Sequence, residues 1–136
     1  MVIDTVVFAY ALLGVQGFCD ESVEVLERVD EIWVPDSLRA ELVNVVWQWV
    51  HLRGVPIETG QDALQDAETL FTQVVPTQAL WEHALELAVD RGHPAYDTIF
   101  VALAAAQDLK VITYDRKLIS TFPEYAISVP DYLSSL

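Results

Sequence analysis

Cysteine is nearly missing from this chain. Cys19 stands alone, so neither an internal disulfide nor a cysteine metal site can form, and it reads as an ordinary thiol. Long apolar runs are missing too: Asp4 interrupts the first, and the stretch from Thr5 to Val15 is too short to span hydrocarbon. The start also lacks the basic region of a secretory signal, so the chain is expected to stay in the cytoplasm, away from membranes. Basic residues are scarce, seven against 21 acidic ones, for a net charge of −14. That balance excludes a general basic groove for phosphate chains unless the charge is locally reversed. There is no Gly-rich phosphate loop, no nucleophile elbow and no thiol beside a plausible base, which removes the usual nucleotide-binding and covalent-hydrolase readings. His51, His83 and His93 lack a spacing that would put two ligands on one helix face, and His93-Pro94 reads as a turn, so zinc is not expected.

What remains is a globular chain. Its 136 residues are 53% apolar, enough to bury a continuous core, and no linker, repeat or low-complexity tract divides them, so one domain over 1–136 is expected. Short β-branched runs at Met1 to Asp4, Ile32 to Val34, Val74 to Val75, Lys110 to Tyr114 and Ala126 to Val129 predict strands. Apolar residues at helical spacing predict helices over Val6 to Leu13, Glu21 to Val29, Ala63 to Phe71, Gln78 to Arg91 and Tyr96 to Leu109. The clearest stripe is Leu38, Leu42, Val45, Val46 and Trp49, opened by Asp36 or Ser37 as a cap. The segment from Gly54 to Gln61 is only generically turn-like and is left unassigned. Strands alternating with helices predict an α/β fold with a parallel sheet, in which ligands bind at the carboxyl ends of the strands.

Four acids stand out against that frame. Asp4 and Asp115 each follow a short buried strand, so both point to one rim. Asp97 lies in the first turn of a segment so apolar around its circumference that it must be largely buried. Glu41 borders the apolar stripe of its helix. Each has a plain structural explanation: Asp97 and Asp115 can serve helix N-termini, and Glu41 can pair with a lysine or arginine. Their convergence, with few basic residues nearby, favours a shared site whose carboxylates repel until Mg²⁺ or Mn²⁺ enters.

The segments carrying these acids, Val2-Ile-Asp-Thr, Leu38-Arg-Ala-Glu-Leu-Val-Asn-Val, Ala95-Tyr-Asp-Thr-Ile-Phe-Val-Ala-Leu-Ala and Val111-Ile-Thr-Tyr-Asp-Arg-Lys-Leu, together resemble the PIN-domain family, especially VapC-type toxin ribonucleases. The resemblance spans nearly the whole chain. It implies a Rossmann-like α/β/α sandwich with a mostly parallel sheet, and metal-dependent endoribonuclease chemistry. It assigns Asp4, Glu41 and Asp97 to the core triad, Asp115 to the more variable fourth acid, and Thr113 to orienting a carboxylate or a water. It also implies homodimerisation and a small VapB-type antitoxin. One departure is Val6, where many relatives have a small polar residue; Thr5 offers a hydroxyl from the neighbouring position.

Arg39, Arg116 and Lys117 lie beside the acids and are the candidates for touching RNA phosphate. Trp47 and Trp49 must face different directions, so at least one is expected at a protein interface or a base-stacking surface. Trp33 and Trp81 are expected in the core. Two other readings stay open. A receiver-like phosphoacceptor is disfavoured because no acidic pair ends the first strand and no mid-chain strand is expected to end in aspartate. A catalytically weak or inactive PIN-like protein-binding module is favoured by Val6 and the negative charge.

Overall fold

The computed structural model describes residues 1–136. Five strands, β1 (Val2–Ile3), β2 (Trp33–Pro35), β3 (Gln73–Val75), β4 (Val111–Thr113) and β5 (Ala126–Ser128), form one sheet in the order β3-β2-β1-β4-β5. Every pairing is parallel, so the sheet is wholly rather than mostly parallel. Val2, Ile3, Val111 and Ile112 are fully buried. Such continuous apolar runs are what a parallel sheet covered on both faces requires.

Eight helices surround the sheet: α1 (Thr5–Leu12), α2 (Cys19–Arg28), α3 (Leu38–Arg53), α4 (Ile57–Leu70), α5 (Trp81–Arg91), α6 (Ala95–Gln107), α7 (Arg116–Thr121) and α8 (Val129–Ser134). The result is the expected α/β/α sandwich. Helix α6 packs on β1, β2 and β4, and every residue from Phe100 to Ala104 is buried, which explains its apolar circumference. Helices α1, α3 and α4 pack on one another.

Helix α4 begins at Ile57, within the turn-like segment from Gly54 to Gln61. Gly54 ends α3 with a left-handed φ of 72°, and Pro56 precedes α4, so both breakers fall between helices. Gly60 lies inside α4 because a Cβ there would meet Val46 Cγ1 at 2.8 Å; its turn-like signature is in fact a close helix contact. Helices α7 and α8 were also not foreseen. Trp81 is not a core residue: it is 58% exposed on α5, while Trp33 is half-buried.

The strand order positions the site. From β1 the chain moves outward through β2 to β3, then crosses back to β4 on the other side of β1. The switch point therefore lies between the adjacent strands β1 and β4, and the crevice at their carboxyl ends is where such sheets bind ligands.

Candidate metal centre

Asp4 immediately follows β1 and its backbone N–H donates to Ile112 O, which holds it against β4. Its side chain caps α1 by accepting from Thr5 N (2.8 Å), and its other oxygen accepts from Thr113 Oγ1 (2.6 Å). Thr113 in turn accepts from Asp115 N (3.0 Å), so one buried hydroxyl ties the two strand-end acids together. Asp115 caps α7: its Oδ1 accepts from Lys117 N and Leu118 N. The plain helix-terminus explanation thus describes one of its oxygens.

Glu41 enters from α3, where its Oε2 accepts from Thr5 Oγ1 (2.8 Å). Thr5 therefore orients Asp4 with its backbone amide and Glu41 with its hydroxyl. Asp97, in the first turn of α6, places Oδ2 2.9 Å from His93 Nε2. All four acids line one open pocket of about 760 Å³, with Thr5, Val6, Tyr10, Ala40, Asn44, Val45, Tyr96 and Tyr114. No lysine or arginine lines it.

The electrostatics follow from that omission. Burial pushes Asp4 up to about 6, against the lowering effect of its hydrogen bonds from Thr113 and Thr5, with Asp97 and Asp115 adding repulsion. Burial likewise pushes Glu41 up to about 7, with Asp4 and Asp97 adding to the shift. Such a set of oxygen donors fits a hard divalent cation, whose charge would relieve both effects.

The cationic candidates are placed differently. Arg39 donates through Nε and Nη2 to the two carboxylate oxygens of Glu68, away from the pocket. Arg39, a candidate for substrate phosphate, is thus paired with Glu68 and does not line the pocket. Arg116 and Lys117 are exposed at the start of α7, next to Asp115. Trp47 is 54% exposed and stacks on His51, whereas Trp49 is half-buried against Tyr10.

Sequence reasoning missed two residues of this region. Asn44 follows Glu41 by three positions and shares its helix face; that spacing was available in the chain. His93 was set aside for want of a second histidine, yet it stands four residues before Asp97, and its ring nitrogen and carboxylate oxygens of Asp97 and Asp115 all lie within 4.8 Å of one another. Asp36, a cap candidate for α3, is a strand-end aspartate instead, and Ser37 occupies the cap position without a side-chain hydrogen bond. Asp36 follows β2, but it accepts hydrogen bonds from the amide and hydroxyl of Thr77 and does not line the pocket.

Comparison with known proteins bears on the fold and the family. The family model described as "PIN domain" matches residues 1–123. No curated protein matches the chain. Among solved structures, a protein from Pyrobaculum aerophilum superposes with a TM-score of 0.74 at 22% identity, covering 98% of this chain and 86% of that one. A toxin–antitoxin complex from Klebsiella pneumoniae gives 0.70 at 17% identity, covering 94% and 96%. FitAcB from Neisseria gonorrhoeae gives 0.65 at 17%, also covering 94% and 96%.

Proposed function

Because the chain belongs to the PIN-domain family, we propose that it is a metal-dependent endoribonuclease, the toxin of a VapBC-type toxin–antitoxin pair, acting as one unit over residues 1–136. The observation that carries this reading is the pocket itself. Four carboxylates from four segments of chain converge there, and each is held by neutral or backbone donors or by His93, never by a lysine or arginine. Structural carboxylates are ordinarily paired with cationic side chains or left in water. Carboxylates gathered without such a partner, two of them desolvated, are what a cation site needs.

In this reading Asp4, Glu41, Asp97 and Asp115 hold Mg²⁺ or Mn²⁺. The chemistry such an ion would supply when bound is polarisation of the scissile phosphate and a lowered pKa for the attacking water. Thr113 and Thr5 fix the carboxylate rotamers of Asp4 and Glu41. Tyr96 lines the pocket, 75% exposed, and offers a ring face to an unpaired base. Arg116 and Lys117 supply the exposed positive charge beside Asp115 for the phosphate backbone. Hydrolysis by water leaves a 5′-phosphate and a 3′-hydroxyl; recovery of 2′,3′-cyclic phosphate ends would overturn this chemistry.

The same reading supplies a cytoplasmic setting, a VapB-type antitoxin and a second copy of the chain as partners. Supporting it, one structural neighbour is a toxin–antitoxin complex from Klebsiella pneumoniae, and another is VapBC2 from Rickettsia felis bound to a DNA fragment from their promoter. No helix is long and apolar enough to cross a membrane. One observation favours the second reading, a protein-binding module. Val6 lines the acidic pocket and also an adjoining one with Trp49, Leu52 and Arg53, so the surface beside the acids suits protein as well as RNA.

The deciding experiment is cleavage of a mostly single-stranded RNA with Mg²⁺ or Mn²⁺ by wild type and by equally folded Asp97→Asn. We expect metal-dependent cutting that falls at least about 100-fold in the variant, since even a group that only orients a metal ligand costs about 10–100-fold. Equal cutting by both would refute the assignment, and no cutting by either would favour the binding module.

A further inference from the structure

We propose that His93 is a positioning residue for Asp97, to which it donates its Nε2 proton while Nδ1 stays unprotonated. The inference rests on the metal-site reading of Asp97 given above.

His93 occupies the short turn between α5 and α6. Gly92 ends α5 with a left-handed φ of 63°, the backbone N–H groups of Gly92 and His93 both donate to Ala88 O, and Pro94 caps α6. This turn puts His93 four residues ahead of Asp97, the spacing at which side chains meet on a helix. The imidazole is 1% exposed and packs edge-on to Phe122, with ring centroids 5.8 Å apart and planes at 81°. Arg91 lies over the same Phe122 ring, 4.8 Å from its centroid. The imidazole plane is therefore confined. Its Nε2 meets Asp97 Oδ2 at 2.9 Å, while the Asp97 side chain is 39% exposed and opens to the pocket.

Two roles are open to a nitrogen this close to Asp97 and Asp115: giving a proton to a carboxylate or giving a lone pair to a cation. The other ring nitrogen decides between them. Nδ1 is buried and has no hydrogen-bond partner. If Nε2 bound a cation, the ring proton would sit on Nδ1, where a histidine ligand normally finds an acceptor and this one has none. A buried N–H without an acceptor is rarer than a bare buried acceptor. With the proton on Nε2, the donor is satisfied by a carboxylate oxygen and only an acceptor is orphaned. The ring thereby pins Oδ2 and leaves Oδ1 of Asp97 to the pocket.

Long-range ¹H–¹⁵N spectra of histidine-labelled protein, with and without Mg²⁺, test the tautomer. The expected pattern for His93 is a protonated Nε2 and an unprotonated Nδ1 in both conditions; a proton moved to Nδ1 on adding Mg²⁺ would make His93 a ligand and overturn the proposal. Mn²⁺ affinity of His93→Gln and His93→Leu, checked for folding, supplies the second arm. Gln presents an N–H at the reach of Nε2, so it should stay within about 3-fold of wild type, while Leu loses about 10-fold or more. Leu equal to wild type, or Gln as weak as Leu, would overturn the role. Should RNA cleavage fail while this pattern holds, the nuclease reading falls and the positioning role stands.

Discussion

Asp4 and Glu41 carry the electrostatic cost of the pocket. Unfolded, they titrate near the ordinary values of about 3.9 and 4.3; folded, burial raises them to about 6 and about 7. The folded chain thus holds more protons than the unfolded one between about pH 4 and pH 7, and stability falls as pH rises through that window. The metal-free protein should melt at a lower temperature at pH 8 than at pH 5, and the drop should shrink in Asp4→Asn/Glu41→Gln and under saturating Mn²⁺. Calorimetric melts at the two pH values measure this; an equal drop in wild type and variant would place the effect in the general acidic surface instead. At this scale the four acids were legible because strand ends and an apolar helix are unusual places for carboxylates. His93 was not, because its role depends on a buried ring nitrogen that no spacing between histidines reveals.

Helix α7 ties a local element to the site. It has six residues, too few to leave an amphipathic pattern, and went unforeseen for that reason. Asp115 caps it with Oδ1, so stability and metal binding separate by substitution. Asp115→Ala should lose about 1 kcal/mol of folding stability, the usual worth of such a cap. Asp115→Asn keeps a capping oxygen, so it should stay within a few tenths of a kcal/mol of wild type and still weaken Mn²⁺ binding. Urea melts beside calorimetric Mn²⁺ titrations check the pair; an Asn variant as unstable as the Ala variant would refute the division. The start of α4 was hidden by the opposite problem, since Gly60 signals a turn locally and is needed for contact with Val46.

Across the whole molecule, a net charge of −14 opposes RNA, and Arg116 and Lys117 are exposed beside the pocket. Single strands lose affinity with salt at about 0.7 log units per log unit for each phosphate neutralised. Replacing Arg116 and Lys117 by alanine should therefore flatten the salt slope of RNA binding by about 1.4. Fluorescence anisotropy over a salt series, with Mg²⁺ constant, reads the slope; an unchanged value would remove both residues from the interface. Arg39 lies outside the pocket and pairs with Glu68.

The sequence by itself determined the alternation of strands and helices, the burial of β1, β4 and α6, and the acids at their ends, because periodicity and apolar runs are local properties. Only the tertiary structure decided which of those ends became neighbours. Pairing of β1 with β4 brings Thr113 onto Asp4 across 109 residues, and the packing of α3 beside α1 brings Glu41 onto Thr5 across 36. The turn between α5 and α6 buries His93 against Phe122, and a glutamate 29 residues away takes Arg39. Such contacts depend on strand order and helix packing; the resemblance pointed to Thr113 as an orienting residue, but periodicity could not name its partner.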